Sequence, residues 1–201
     1  MAKPTNELTP MQRQYQQIKE RNQDCILFFR LGDFYEMFNE DAKLAARELD
    51  LTLTSRDRSK PKEEQTPMCG VPYHSVDSYI ARLVQKGYKV AICEQMEDPA
   101  LAKGLVERDI TRIVTPGTVT ESCMLDESKN NYMGCLYGEG GRFGLAFCDV
   151  STGAFFVTLC ADAQSVASEL GRFSPSEVMR FGTDVSSEAI EDALFRRLNC
   201  C

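Results

Sequence analysis

An aromatic side chain and an acid stand two residues apart at Phe34 and Glu36, shortly after an apolar run that Gly32 interrupts. An aromatic ring can stack on a flat partner, and a carboxyl group can hydrogen-bond to the edge of that partner. Both side chains would have to project in one direction, whereas in the middle of a helix they would point about 200° apart. A shared role therefore requires Phe34 to lie at the junction between a strand and a helix.

The same residues also fit the start of an ordinary helix. Asp33 and Glu36 have the spacing of a capping box, in which Asp33 is the N-cap and Glu36 is at position N3. Phe34 would then begin the apolar stripe of that helix, and the later members of the stripe are Phe38, Ala42, Ala45 and Leu49. Such pairs are common in helices, and the two interpretations do not exclude each other.

Other chemically active side chains give weaker signals. Four basic residues fall within seven positions: Arg56, Arg58, Lys60 and Lys62. A cluster of this kind can hold phosphates, although a solvated turn is the commoner explanation. His74 is the only histidine, and no partners for a hydrolase triad or a metal site lie at suitable spacing from it. A structural turn at Tyr73-His74 is therefore expected.

The length and composition of the chain narrow its class. Its 201 residues suit one or two domains. No apolar run approaches the roughly 18 residues of a membrane span, and no secretory signal follows Lys3, so we expect a cytosolic protein. The nine cysteines include no Cys-x-x-Cys pair, and in a reducing compartment most of them are expected to be free, buried thiols.

Charge is distributed unevenly along the chain, whose net charge is −7. Residues 1–115 contain 17 Lys or Arg against 18 Asp or Glu, whereas residues 116–201 contain 6 against 12. A negative balance argues against a generic nucleic-acid binder. Nearly all of the acidity lies in the second half, however, so this argument does not apply to the first half.

Hydrophobic periodicity predicts the elements of the first half. Helices are predicted over 9–23, from Phe34 onward and over 75–87, and strands over 25–29, 51–54, 90–93 and 110–114. Pro67–Pro72 should be a turn-rich connector, because two prolines and a glycine disfavour regular structure. Strands that alternate with helices indicate an α/β layer fold.

The second half begins with a predicted linker over 116–130, which is rich in polar and turn-forming residues. The patterns after it predict three strands, a helix, a short strand and a terminal helix, at 132–137, 143–150, 154–160, 162–172, 178–181 and 186–198. This is the order in which a ribonuclease-H-like sheet begins. The sheet stops early, so we expect the chain to be a piece of a longer protein.

Four motifs carry a resemblance to a known family. They are Arg30–Phe38 (RLGDFYEMF), Pro67–His74 (PMCGVPYH), Val90–Gln95 (VAICEQ) and Arg112–Thr118 (RIVTPGT). Together they closely resemble the N-terminal part of the bacterial MutS family of DNA mismatch-recognition proteins, densely over 9–118 and more loosely to the end.

The resemblance implies an α/β fold with two domains. The first would be a mismatch-binding domain over 1–115, with a mixed sheet flanked by helices. A linker over 116–130 would lead to the N-terminal part of a connector domain over 131–201. This connector domain is expected to be ribonuclease-H-like and incomplete.

The resemblance also matches Phe34-Tyr35-Glu36 to the Phe-x-Glu motif of the family, which implies a role in mismatch binding. Mispairs share weak stacking, and an aromatic wedge pushed in from the minor groove tests that property at any sequence. Glu36 would then hydrogen-bond to the exposed base edge. Because phosphates disfavour its ionised form, it could donate as a protonated acid. A carboxylate there would also repel correctly paired duplex.

Two further DNA contacts follow from the resemblance. Arg56 matches a family position near the DNA backbone, where it would position the protein without reading sequence, although the charged insertion at 60–65 departs from the family pattern. Met68 is expected to pack in the minor groove near the mispair. For a methionine on a loop, however, filling of space is the commoner role.

Cofactors and partners are implied by the resemblance as well. The full-length family protein carries a C-terminal ATPase that uses ATP and magnesium, but no Gly-x-x-x-x-Gly-Lys-Ser/Thr motif occurs in this chain. The chain itself is therefore expected to be no enzyme and to hold no cofactor or metal. Its expected partners are double-stranded DNA with mispairs or small loops, a second copy at full length, and a MutL-like repair protein. We expect it in the cytoplasm, associated with the nucleoid and not with a membrane.

Two other functions stay open. A ribonuclease-H-like, metal-dependent nuclease would need several acids that converge on two metal ions. The strand regions over 131–160 contain only Asp149, which precedes the turn Ser151-Thr152-Gly153, and an acid there commonly forms an Asx turn. A pure protein-interaction module would suit the acidic second half, whose role in the family is to link domains and to contact repair partners.

Overall fold

The computed structural model describes residues 8–56, 61, 65–102 and 104–197. The chain divides between Val114 and Thr115 into two compact units. Each unit has its own mixed sheet, on which helices pack. Among the described helices, none is both long enough and apolar enough to cross a membrane.

The first unit contains a six-stranded sheet. Its helices are α1 (Pro10–Glu20), α2 (Asn39–Leu49) and α3 (Val76–Val84), with a 3-10 turn at Tyr73–Ser75. Its strands are β1 (Cys25–Leu31), β2 (Phe34–Phe38), β3 (Thr54–Ser55), β4 (Pro67–Pro72), β5 (Lys89–Gln95) and β6 (Arg108–Val114). The strand order is β3-β4-β2-β1-β5-β6, in which β1 is parallel to β5 and the other neighbours are antiparallel.

Helix α1 begins with a capping box. Thr9 Oγ1 accepts a hydrogen bond from the Gln12 N–H at 3.3 Å, and Gln12 Oε1 accepts one from the Thr9 N–H at 2.9 Å. Pro10 stands in the first turn, where its missing N–H costs nothing. The predicted helix is thus confirmed, although it ends at Glu20 rather than at residue 23.

Strand β1 is the buried centre of the first sheet. Its residues Cys25–Phe29 are all buried, which confirms the predicted strand. A continuous apolar run is typical of a strand that is covered on both faces. On one of these faces, the ring of Tyr15 from α1 meets the ring of Phe29 edge-on, with 5.4 Å between the ring centroids.

The helix predicted from Phe34 onward is wrong. Phe34–Phe38 form strand β2, which is joined to β1 by a tight turn at Gly32 and Asp33, where Gly32 has a φ of 60°. Aromatic side chains favour the pleated surface of a sheet, and pairing with strands on both sides outweighs the helical spacing of the segment. Helix α2 begins only at Asn39, so the expected capping box of Asp33 and Glu36 does not form.

Two smaller predictions also need correction. Pro67–Pro72 form strand β4 rather than an irregular connector, and the prolines occupy its first and last positions, where a missing N–H interrupts no central ladder. The predicted strand over 51–54 is reduced to Thr54–Ser55. The helix predicted over 75–87 is confirmed as α3 but ends at Val84, ahead of a turn in which Gly87 has a φ of 86°.

The second unit has a four-stranded sheet in the order β10-β7-β8-β9. Its elements are β7 (Tyr132–Glu139), β8 (Arg142–Asp149), β9 (Ala154–Cys160), α4 (Ala163–Phe173), β10 (Glu177–Gly182), α5 (Glu188–Glu191) and a π-helical turn (Asp192–Arg197). Strands β7, β8 and β9 are antiparallel neighbours, and β10 runs parallel to β7. The predicted strands and α4 are confirmed, in the order in which a ribonuclease-H-like sheet begins.

The predicted linker over 116–130 makes contacts within the second unit near its start. The N–H of Gly117 donates to Glu177 Oε2 at 3.2 Å. A Cβ at Gly117 would lie only 2.9 Å from the Cβ of Met133, so this close approach requires glycine. Residues 126–130 are exposed. The division of the chain at 116–130 stays a prediction.

Six cysteines of the described chain carry free thiols: Cys25, Cys69, Cys93, Cys135, Cys148 and Cys160. For these six residues the expectation of free thiols is confirmed. Burial raises the pKa of Cys25 to about 11 and the pKa of Cys93 to about 12. Because the thiolate is the reactive form, such thiols are inert near neutral pH.

We expect Cys25, Cys69 and Cys93 to react with a disulfide reagent at pH 8 only when the chain unfolds, and the half-buried Cys135 and Cys148 to react before these three. An unfolded thiol ionises near a pKa of about 8.5, below the raised values of the folded state. The free energy of unfolding should therefore be unaffected by these thiols below about pH 8 and fall as the pH rises further.

The measurements are thiol titration of the 201-residue chain with and without urea, and urea unfolding between about pH 7 and 10. Adding a reductant should leave the unfolding midpoint unchanged. A large loss of stability with reductant would reveal a structural disulfide and contradict the assignment.

Candidate nucleic-acid interface

Strand β2 places Phe34 and Glu36 on one face of the first sheet, because side chains two residues apart in a strand point to the same side. Because of this strand geometry, the side chains of Phe34 and Glu36 project in one direction without the strand–helix junction that the sequence analysis required. Phe34 is paired with Leu31 of β1, and Glu36 is paired with Phe29. Phe34 is 48% exposed, so it is not the buried aromatic of a helix start.

Glu36 lies beside a glycine of the neighbouring strand. Gly70 is the residue opposite Glu36 in β4. A Cβ on Gly70 would lie 3.3 Å from the carbonyl oxygen of Tyr35 and 3.4 Å from Cγ of Glu36. A larger residue would press on the stem of Glu36, so the glycine leaves room for the acidic side chain along the sheet.

Among the described residues, the carboxyl group of Glu36 has one charged partner. Glu36 Oε1 accepts a hydrogen bond from the Arg56 guanidinium at 2.8 Å. Only 12% of the Glu36 side chain is exposed, against 46% of the Arg56 side chain. Glu36 Oε2 is buried and has no hydrogen-bond partner within the described ranges. The two predicted DNA contacts therefore lie together and are bonded to each other.

A second arginine lies on the same face. Phe29 is opposite Glu36 in the β1–β2 pair, and the guanidinium carbon of Arg108 is 5.2 Å from the centroid of the Phe29 ring. The Arg108 side chain donates to the carbonyl oxygens of Arg30 at 2.7 Å and Val106 at 2.8 Å. Burial, together with the nearby positive charge of Arg56, lowers the pKa of Arg108.

Sequence reasoning missed Arg108. Its only signal is its position at the start of an alternating strand, which does not reveal that its side chain is buried. The pairing of strands that brings it over the Phe29 ring depends on residues far from it in the sequence.

The opposite face of the hairpin carries a polar cluster that sequence reasoning also missed. The Tyr35 hydroxyl donates to the carboxylate of Glu94, and the Arg30 guanidinium carbon lies 4.0 Å from the centroid of the Tyr73 ring. Burial and the hydrogen bond to Glu94 raise the pKa of Tyr35 to about 12. This cluster holds the turn end of the hairpin on the face away from Phe34.

The two weaker candidates, Met68 and His74, lie in different elements of the first unit. Met68 lies in strand β4, not on a loop, and it packs partly buried against the cluster that includes Tyr15 and Phe38. His74 lies in the 3-10 turn, is exposed and meets the Tyr73 ring edge-on. Both positions agree with structural roles for these two side chains.

Only one of the four clustered basic residues lies in the described part of the chain. Arg56 is described, whereas Arg58, Lys60 and Lys62 lie outside the described residues. The structure therefore tests the position of Arg56 alone among these four.

Asp149, the acid that a nuclease would require, is completely buried in the second unit. Its carboxylate accepts hydrogen bonds from the Asn131 N–H at 3.1 Å, the Ser151 N–H at 2.9 Å, the Ser151 hydroxyl at 2.6 Å and the Thr152 N–H at 3.3 Å. Burial opposes its ionisation, but these bonds outweigh that effect and hold the pKa of Asp149 below its usual value. This is the Asx-type turn expected from the sequence.

Among the described residues, no group of three or more His, Cys, Asp or Glu side chains is placed to hold a metal ion.

Comparison with protein families assigns both units. Residues 9–123 match the family described as MutS domain I, and residues 131–199 match MutS domain II. The order of the two matches follows the order of the two units.

Curated relatives named DNA mismatch repair protein MutS match most of the chain. The chain is 56% identical to the relative of Acetivibrio thermocellus over 195 residues, 58% to that of Ruminiclostridium cellulolyticum over 175, and 57% to that of Clostridium tetani over 173. These matches cover 96%, 86% and 86% of this chain but 22%, 20% and 19% of the relatives. The chain thus spans about a fifth of their length.

The chain thus consists of two α/β units that match two domains of a single family. The chain belongs to the MutS family.

Replacing Asp149 with Asn should reduce the free energy of unfolding of the second unit by about 2–4 kcal/mol, because an amide NH2 would face N–H donors in a buried site. The stabilising effect of the lowered pKa is present above the pKa of an unfolded Asp, about 3.9, and is lost as the pH falls through the folded pKa. The free energy of unfolding of the Asp149→Asn variant should therefore change less between about pH 3 and 7 than that of the unchanged chain. Urea unfolding at these pH values measures the difference.

The matched control is Asp126→Asn. Asp126 forms a similar turn, with bonds from the Ser128 N–H at 3.0 Å and the Ser128 hydroxyl at 2.6 Å, but it is exposed. Its replacement should cost less than about 0.5 kcal/mol. Equal losses in the two variants would contradict the importance of burial at Asp149.

Proposed function

We propose that this chain recognises mispaired or unpaired bases in double-stranded DNA, as part of a longer protein that initiates mismatch repair. Phe34 would be the wedge that stacks on a base, and Glu36 would contact the base edge. The observation that carries the proposal is the half-exposed Phe34 ring beside Glu36 on one face of the hairpin, within a chain of the MutS family.

The geometry of β2 suits this pair of roles. Residues two apart in a strand are separated by about 7 Å, and stacked bases by about 3.4 Å. A ring and a carboxyl group at this separation can address the same base or its neighbour. Insertion of the ring costs a few kcal/mol less where pairing is already poor, so the contact favours mispairs without reading sequence.

Arg56 would supply a phosphate contact beside the wedge, since its side chain is about half exposed. The proposed groove contact of Met68 is less well supported, because that side chain already packs against the core of the first unit. Both remain part of the proposal, with Arg56 the stronger of the two.

The longer protein would supply the remaining activities. We propose that it acts as a homodimer, contacts a MutL-like partner and resides in the cytoplasm, associated with the nucleoid. ATP and magnesium would bind outside this chain, which contains no Gly-x-x-x-x-Gly-Lys-Ser/Thr motif and therefore does not fit a nucleotide of the Walker type. This chain itself would be a recognition module, not an enzyme. The nuclease alternative is not favoured, because Asp149 is engaged in a local turn.

Replacing Phe34 with Ala in the full-length protein should remove a stacking contact of roughly 1–3 kcal/mol, a loss of about 5- to 150-fold in affinity for mispaired DNA. Affinity for paired duplex should change little, because the ring has no place to enter there. Equilibrium binding to G·T and matched duplexes measures both affinities.

The control for Phe34→Ala is Leu105→Ala, which removes a side chain of similar exposure from the same unit. It should leave the ratio of mismatched to matched affinity unchanged. If Phe34→Ala left that ratio unchanged in a folded protein, the wedge assignment would be wrong.

Replacing Glu36 with Ala should change mainly the affinity for matched duplex. Removing one negative charge near phosphates is worth about 1 kcal/mol, so affinity for matched duplex should rise about fivefold and discrimination should shrink. The same binding measurements test this effect. A fall in affinity for matched DNA would contradict the proposed repulsion.

A further inference from the structure

The ion pair between Glu36 and Arg56 joins two groups whose proposed partners are parts of DNA. Their contact is 2.8 Å long and links the end of β3 to the middle of β2. While it persists, the positive charge of Arg56 offsets the negative charge of Glu36 for any approaching phosphate. Neither group can then play its full role towards DNA.

The pair can open at little cost. Arg56 is about half exposed, and an ion pair that reaches solvent contributes little to stability. The long side chain of Arg56 can reach a phosphate instead of Glu36. By contrast, a carboxylate as buried as Glu36 needs a replacement partner when Arg56 leaves.

Two features of the site supply what an opened pair requires. Glu36 Oε2 is buried without a hydrogen-bond partner among the described residues, so the carboxyl group has unused capacity. Arg108 lies on the ring of Phe29, the residue opposite Glu36, and its hydrogen bonds hold it there independently of Arg56. A positive charge therefore stays on this face when Arg56 moves away.

We propose that Arg56 is a specificity-determining, positioning residue that acts through Glu36 by exchange of partners. On paired duplex, Arg56 stays on Glu36. At a mispair, Glu36 turns to the exposed base edge, and Arg56 transfers to a DNA phosphate. Both new bonds form only when both groups have partners on DNA. The exchange therefore raises the affinity for mispaired DNA relative to matched duplex. This inference rests on the proposed function and assigns Arg56 more than a uniform attraction to the backbone.

The exchange predicts a salt dependence that differs between duplexes. Each phosphate that a protein cation neutralises adds about 0.9 to the slope of log affinity against log salt. Arg56→Gln in the full-length protein should therefore lower the slope on a G·T duplex by about 0.9 and leave the slope on matched duplex unchanged. It should also reduce the ratio of mismatched to matched affinity by about fivefold.

Glu36→Gln provides the reciprocal test, because it releases Arg56 without a mispair. The slope on matched duplex should rise by about 0.9, and adding Arg56→Gln to this variant should lower the slopes on both duplexes alike. Arg56→Lys keeps the positive charge and should retain most of the difference in salt-dependence slope between G·T and matched duplexes. Arg82→Gln is the matched control, since Arg82 of helix α3 is similarly exposed and is ion-paired to Asp50; it should change neither slope.

Two results would overturn the exchange. In one, Arg56→Gln lowers both slopes equally while Glu36 is present, which would make Arg56 a uniform backbone contact. In the other, it changes neither slope, which would exclude Arg56 from DNA. Either result can occur while Phe34→Ala still abolishes discrimination, so failure of the exchange is distinguishable from failure of the proposed function.

Discussion

The antiparallel pairing of β1 with β2 is the constraint on which the site depends. β1 is held in place because Leu27, Phe28 and Phe29 are fully buried and because the strand also pairs with β5. The register with β1 then fixes where each side chain of β2 points. Phe34 is consequently held at the surface on a rigid strand, and a preorganised ring loses little freedom when it binds.

Polar contacts brace the hairpin at its two ends without using the site residues. At the end near α2, Asp41 accepts hydrogen bonds from the Leu27 N–H and from Lys19, both at 2.9 Å. At the turn end, Tyr35 is bonded to Glu94 on the face away from Phe34. Because these contacts do not involve Phe34 or Glu36, the scaffold and the candidate site can be altered separately.

Local sequence signals predicted those parts of the fold that depend on neighbouring residues. The apolar run at 25–29 predicts a buried strand because it is continuous, and the structure confirms that strand. The segment after it fits two periods: Phe34 and Phe38 have helical spacing, and the alternation of the same residues also fits a strand. Pairing with β1 and β4 decides between them, and the contact of Arg56 with Glu36, 20 positions away, likewise exists only through the sheet.

The alternation of side chains in β2 also protects the hairpin during folding. A slip of β2 by one residue against β1 would move Glu36 to the face on which Tyr35 and Met37 are buried and would remove those two side chains from their packing sites. Burial of a carboxyl group among apolar side chains and loss of two large core residues would both penalise that register. Glu36 thus disfavours the shifted register, and changes in hairpin length that shift the strand by a single residue should be poorly tolerated.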